Sequence, residues 1–576
     1  MQNASKLTLI LLVGAWLASI LWLPRSAAPQ HDLPQGDLVQ FFSFDEGVGG
    51  WTSLDTEAVI KQETDPSQVK VGKGALSFQF TPRKGALSLL SYNNLMIKGA
   101  NAATFFLKSS EPTVVVFILH ERDDSRYQAL RYTPAGEWVR HDVHFSDLTL
   151  ADDASDENDQ LDPDQVDAVI LADIEVIYAQ SAQKTGAPRL MLLDELAFLI
   201  APDRTGDEKL ILDDFEDGVG AWFPMQMSSG EVPSFDASAL LRATAERGDV
   251  KSGRQALEFR YRITPHQFPV LLHQLAGKKL ADSMGVRMWV KTDAPTVLVV
   301  SLGERGGGRY STPFFCPGNR YQQVTLKVAD FALDDDAKDA NGRLDLATVN
   351  SLTIADAASF LATHFQGIAA GERTLYLDRL EMLPKTPVER GSGGDERTGR
   401  EELRSLWQDD FREGVIRWLP LRLNLNPLSI SLLTDGTLEI VESPDRAIGA
   451  KALQFSYTVS TNSLAVLMRP LVLDKADFAR SLHLVLRTDA DTTLMVNLKE
   501  RDESEYRYQL PLGKADGWKD LAIPLTIFKL GEDKTDENNR LDPGQLKEIA
   551  LADISMGVGN AGRNTLWIES VSLMAD

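Results

Sequence analysis

Apolar and polar residues alternate with a period of two through most of the chain, in short runs broken by Gly, Asp, Asn and Pro. That spacing predicts β-strands, because successive side chains on a strand point to opposite faces. Val115, Phe117 and Leu119 interleave with Val116 and Ile118, an apolar run typical of a central sandwich strand. Leu494, Val496 and Leu498 alternate cleanly with polar Asn497 and Lys499, which predicts a strand buried on one face. The helical signal amounts to one turn. Asp162-Pro163-Asp164-Gln165 and Asp542-Pro543-Gly544-Gln545 set an N-cap acid, an N1 proline and a capping-box glutamine in order. The one unbroken apolar stretch, Leu7 to Leu23 behind Lys6, predicts an N-terminal hydrophobic helix. It lies between a signal-peptide core and a minimal membrane span, so residues 1–28 are a signal peptide or a signal anchor and the chain is exported.

The strand pattern repeats three times. Phe44-Asp45-Glu46-Gly47 with Trp51 matches Phe215-Glu216-Asp217-Gly218 with Trp222, and Phe411-Arg412-Glu413-Gly414 with Trp418. A Gly…Ala-Leu-x-Phe strand follows each, from Gly72, Gly253 and Gly449. Glu121-Arg122…Tyr127, Glu304-Arg305…Tyr310 and Glu500-Arg501…Tyr506 come next, then acidic loops from Asp156, Asp339 and Asp536. Each copy closes on a strand carrying Asp194, Asp378 or Glu569. Landmarks in one order, three times over, define three modules at 38–201, 209–384 and 403–576. Pro202 to Glu208 reads as a short polar linker, and Lys385 to Glu402 as a longer flexible one.

Composition narrows the function. A net charge of −24 argues against nucleic acid as a partner. The single Cys316 excludes an intramolecular disulfide framework and cysteine-based zinc sites. No nucleophile elbow, zinc-protease helix or phosphate-cradling loop is present. His141 and His144 stand three apart on a strand, which puts their imidazoles on opposite faces.

The opening Phe-acid-acid-Gly…Trp, the Gly…Ala-Leu-x-Phe strand and the closing Leu-Asp-x-Leu strand resemble the galactose-binding-like β-sandwich. With the late acidic loop, they are most similar to family 11 carbohydrate-binding modules and the complex I intermediate-associated proteins. The resemblance implies an all-β fold of three tandem jelly-roll sandwiches and carbohydrate as the partner. It also implies a structural calcium in modules 1 and 2, held by Asp45 with Asp194 and by Glu216 with Asp378. In module 3 Arg412 cannot ligate a cation, and an Arg412–Glu569 ion pair is expected instead.

For ligand binding the expectation falls on the recurrent Glu-Arg-Tyr sets. The acids Glu121, Glu304 and Glu500 would accept sugar hydroxyls beside Arg122, Arg305 and Arg501, with Tyr127, Tyr310 and Tyr506 as stacking faces. The bland alternative is a carboxylate tied to backbone at the sheet rim. The loops from Asp156, Asp339 and Asp536 begin like an EF-hand but lack its closing glutamate, so Asp162, Asp345 and Asp542 are expected to cap the following turn. The three tryptophans are expected in the core. The functional expectation is a non-catalytic protein of the periplasm or cell exterior that binds polysaccharide or envelope glycan. A scaffold docking envelope proteins is the alternative, and a glycoside hydrolase or lyase the third reading. Membrane contact is expected only through the N-terminal segment.

Overall fold

The computed structural model describes residues 36–576 except 84–86, 152, 175–185, 204, 229–232, 265–266, 277–278, 359–370, 386–404, 413, 415, 427, 447–449, 474–475, 559–561 and 576. The expected hydrophobic helix and the flexible linker centred on Gly391 therefore lie outside the described residues. Among those described, no helix is long and apolar enough to cross a membrane.

Six antiparallel sheets face one another in three pairs. In the first pair, one sheet carries Asp37–Phe42, Val59–Glu63, Ala75–Phe80, Ala102–Ser109, Val139–His144 and Arg189–Ile200. The other carries Trp51–Thr52, Ser88–Asn93, Thr113–Glu121, Arg126–Thr133, Thr149–Leu150 and Val166–Asp173. Strands Ile211–Asp213 to Gly371–Pro384 and Ser405–Asp409 to Gly562–Met574 repeat the arrangement with one added edge strand in each second sheet, Ser234–Phe235 and Leu428–Leu432. In each pair the opening strand lies antiparallel beside the closing one, with Asp37 opposite Ile200, Ile211 opposite Glu381 and Ser405 opposite Met574.

The repeated opening motif has a backbone cause. Phe44, Phe215 and Phe411 all adopt positive φ, 58°, 63° and 60°, a region costly for a bulky residue. Each carbonyl then accepts a bond from the glycine three residues on, Gly47, Gly218 or Gly414, which closes the turn. The ring goes into the core in return, and all three phenylalanines are buried. Trp51, Trp222 and Trp418 are buried beside them, as the sequence predicts.

The interleaved apolar run has two neighbours rather than one. Val115, Phe117 and Leu119 fill their own sandwich core. Val114 and Val116, on the other face of the same strand, join Leu130, Tyr132, Ala172 and Ile174 in a cluster continuous with Phe223, Met225 and Phe235 of the second module. The second module meets the third in the same way, through Val297 and Phe315, and Phe315 N donates to Ile416 O at 2.7 Å. Arg320 takes Glu439 at 3.0 Å across the second junction, and an equivalent ion pair seals each of the two: Asp147 takes Lys279 and Asp330 takes Arg417, both at 2.6 Å. The two acids end equivalent 3-10 turns, Phe145–Asp147 and Val328–Asp330. In the third module that turn ends in Ile527, 40% exposed.

Candidate functional site

The Glu-Arg-Tyr sets sit on the hairpin that joins the two long strands of each second sheet. Glu121 ends Thr113–Glu121, and Tyr127 returns on Arg126–Thr133 opposite Leu119. Strand alternation turns both side chains inward. The tyrosine rings are only 4%, 2% and 2% exposed in the order Tyr127, Tyr310, Tyr506, so they offer no stacking face to a sugar. Their hydroxyls donate instead to the acidic loops. Tyr127 reaches Asp156 and Tyr310 reaches Asp339 at 2.5 Å, and Tyr506 bonds Asp536. The glutamates tie down the same loops: Glu121 accepts from Asp162 N and Glu304 from Asp345 N at 2.5 Å, and Glu500 accepts from Asp542 N. The expected sugar platform is thus a fastening, and only Arg122, Arg305 and Arg501 reach solvent. Burial, helped by neighbouring aspartates, pushes Glu121 and Glu500 up to about 7 against the pull of that backbone bond. The turn-capping expectation survives in one copy only. Asp345 accepts from Ala347 N, whereas the Asp162 and Asp542 carboxylates take the amides of Asn158 and Asn538.

The opening and closing acids also hold one loop between them. Asp45 Oδ1 accepts from Lys73 N and Gly74 N, and Asp194 Oδ2 accepts from Lys70 N and Val71 N. Gly72 has φ +73°, and a Cβ there would stand 2.5 Å from Asp45 Oδ1, which explains the glycine of the motif. Glu216 and Asp378 grip residues 251–255 identically. In both modules the other oxygen of the closing aspartate, Oδ1 of Asp194 and of Asp378, is buried without a hydrogen-bond partner. A hard cation would satisfy such an oxygen, so these residues fit the calcium that the resemblance implies. In the third module the expected Arg412–Glu569 pair does not form. Arg446 takes Glu569 at 3.0 Å and Arg412 takes Asp410 at 3.2 Å. The side chain of Arg446, not the opening residue, supplies the positive charge there.

A second group of acids was not legible as a set. Glu121, Asp123 and Asp156 bring carboxylate oxygens within 4.8 Å of one another, as do Glu500, Asp502 and Asp536. In the second module Gly306 stands where Asp123 and Asp502 do. The signal available in sequence was the Glu-Arg-Asp spacing, shared by two copies of three.

The third module differs on the outer face of its second sheet. Met495, Asn497 and Lys499 alternate there and are half-buried. Asn497 lies opposite Arg507 on one side and Ala550 on the other, and Met495 lies opposite Gln509 and Ala552. Val466 and Met468 continue the rows beyond Ala552 and Ala550. The result is a face with alanine and methionine at its middle and amides and a guanidinium beside them. Asn497 Oδ1 has no hydrogen-bond partner. His141, by contrast, is a core residue bonded to Thr133 Oγ1 at 3.1 Å and tilted against Phe105 with ring centroids 5.2 Å apart, so it makes no metal pair with His144.

No known family matches the sequence, and no curated protein does. Similar solved structures exist. The family 11 carbohydrate-binding module of cellulosomal cellulase Lic26A-Cel5E of Clostridium thermocellum is 13% identical, with 31% of this chain and 96% of that chain covered at a TM-score of 0.24. The CBM22-1-CBM22-2 tandem domain of Paenibacillus barcinonensis Xyn10C is 15% identical, with 62% and 100% covered at a TM-score of 0.21. An exo-beta-agarase is 13% identical over 31% of this chain and 27% of its own, at a TM-score of 0.24.

Proposed function

We propose that this chain is an exported, non-catalytic carbohydrate-binding protein that takes polysaccharide or envelope glycan on the outer sheet face of its third module. The observation that carries the reading is the chemistry of that face. Half-exposed apolar side chains of Met495, Val466 and Met468 suit the C–H surface of a sugar ring, and Asn497 and Gln509 suit its hydroxyls, beside an Arg507 already paired with Glu505 and Asp533. Residues 1–28 would direct the chain to the periplasm or the exterior, as cleaved signal or membrane anchor. Calcium at Asp194 and Asp378 would brace the first two modules without touching the sugar.

Affinity-gel retardation tests the reading with the full chain against neutral and anionic polysaccharides. Retardation by at least one glycan is expected, and Asn497→Ala with Gln509→Ala should abolish it while leaving the melting temperature unchanged. Unaltered migration in every gel would sink the proposal. A scaffold function is the second reading, favoured by one observation: the outer faces of the first two modules already hold protein. It predicts envelope proteins recovered in a pull-down that excess glycan does not compete away. For calcium, chelation should lower the first melting transition, and Asp194→Asn should remove that sensitivity.

A further inference from the structure

The junction of the first and second modules encloses a cavity of about 300 Å³. Six carboxylates line it against three cationic side chains, and both modules contribute. Three of its polar groups have an atom without a hydrogen-bond partner: Arg131 Nε, His273 Nδ1 and Gln274 Oε1. Arg131 is 5% exposed and His273 7%, so water outside the cavity does not serve them. Asp213 stands at the wall, accepting from Trp222 Nε1 at 3.0 Å and Phe215 N at 2.9 Å. Among the described residues it makes no salt bridge.

The second junction shows what this chemistry is built to receive. Asp409 takes the place of Asp213 and accepts from Trp418 Nε1 in the same manner. There Arg469, one residue beyond the Leu419–Met468 pair much as His273 lies opposite Trp222, bonds Asp409 at 3.1 Å. Arg417, in the position of Ala221, reaches Asp330. Both arginines are buried. Two guanidinium groups thus fill the second junction; in the first, Lys279 takes Asp147 as Arg417 takes Asp330, but His273 leaves Asp213 without the ion pair that Arg469 gives Asp409.

We infer that the cavity between the first and second modules binds a small guanidino acid, its guanidinium on Asp213 and His273 Nδ1 and its carboxylate on Arg131 Nε. A planar guanidinium matches a carboxylate, and the unpartnered donor of Arg131 matches a carboxylate oxygen. Burial pushes His273 down to about 3, which keeps its imidazole neutral and able to accept. Burial also pushes Asp213 up to about 7, so a bound cation would hold it ionised.

Isothermal titration of the full chain with L-arginine tests the inference, with L-lysine and agmatine as comparisons. One saturable site for arginine is expected, about tenfold weaker for agmatine, which lacks the carboxylate, and no heat from lysine. His273→Arg should abolish binding by supplying the guanidinium in cis, and Asp213→Asn should weaken it at least tenfold while retaining the fold by circular dichroism. The inference is overturned by no saturable heat with arginine. Binding undiminished in Asp213→Asn, or equal for lysine, overturns it as well.

Discussion

Strands Thr113–Glu121 and Thr492–Glu500 hold the same place in the first and third modules, yet their surroundings differ. Both send one row of side chains into their own core. On the other face, Val114 and Val116 are buried against the second module, whereas Thr493, Met495 and Asn497 stay half-exposed. The same difference separates Leu130 and Tyr132 from Gln509 and Pro511 on the neighbouring strand. A sheet face that a neighbour covers is written in valine, leucine and tyrosine. One left open is written in amides and threonine, and so keeps the chemistry that a ligand can use.

The sharpest way to break the comparison is to place a charge on each face. Val116→Asp buries a carboxylate between modules and should cost about 3 kcal/mol or more in the first unfolding transition. Met495→Asp, at the matching position, should stay within about 0.5 kcal/mol. Equal losses by differential scanning calorimetry would mean that the modules do not dock. Ion pairs at and beside the junctions sharpen it next. Arg469→Met strands Asp409 in a buried site and should cost about 3 kcal/mol, whereas Lys279→Met removes a partly exposed pair worth about 1 kcal/mol. Chemical denaturation of both variants decides the ranking. The smallest effect is a pH dependence. With Asp213 raised to about 7, the folded chain keeps a proton that the unfolded chain releases above about 4, so this term is full at low pH and is lost as pH rises toward 7. His273 acts oppositely, its contribution being lost as pH falls below about 6.5 toward 3. Asp213→Asn should therefore flatten the decline in melting temperature between pH 4 and pH 7, as read by melts across buffers. A decline identical to the parent's would refute the assignment.

The repeats were legible because their landmarks answer to backbone demands. Phe44 turns with positive φ because its ring is held in the core, and Gly72 must admit Asp45, where a Cβ would clash. The all-β class followed from the two-residue alternation. The Glu-Arg-Tyr sets misled because a hairpin end places core-facing and solvent-facing residues side by side, and alternation alone does not say where the sandwich rim lies. Tyr127 proved to be rim packing, bonded to a loop 29 residues later. The docking of modules was present in the sequence as the doubled apolar run at Val114–Leu119. One core and two cores on opposite sides of a strand leave the same apolar run, so the pattern alone does not separate them. Arg446 could not be foreseen at all, because its partner Glu569 lies on a different strand far along the chain.

The pairing of opening and closing strands has a mechanical consequence. With Asp37 opposite Ile200 and Ser405 opposite Met574, tension on the ends of a module pulls at one end of its ladder. The bonds of an antiparallel pair run perpendicular to its strands, so they are loaded one after another and unzip at low force. A shear geometry would load them together. The docked faces around Tyr132 and Phe315 and the Asp147–Lys279 and Asp330–Arg417 pairs carry force from one sandwich to the next without passing through that ladder. Under load the junctions, not the strand pairs, set how far the array yields before a module peels open.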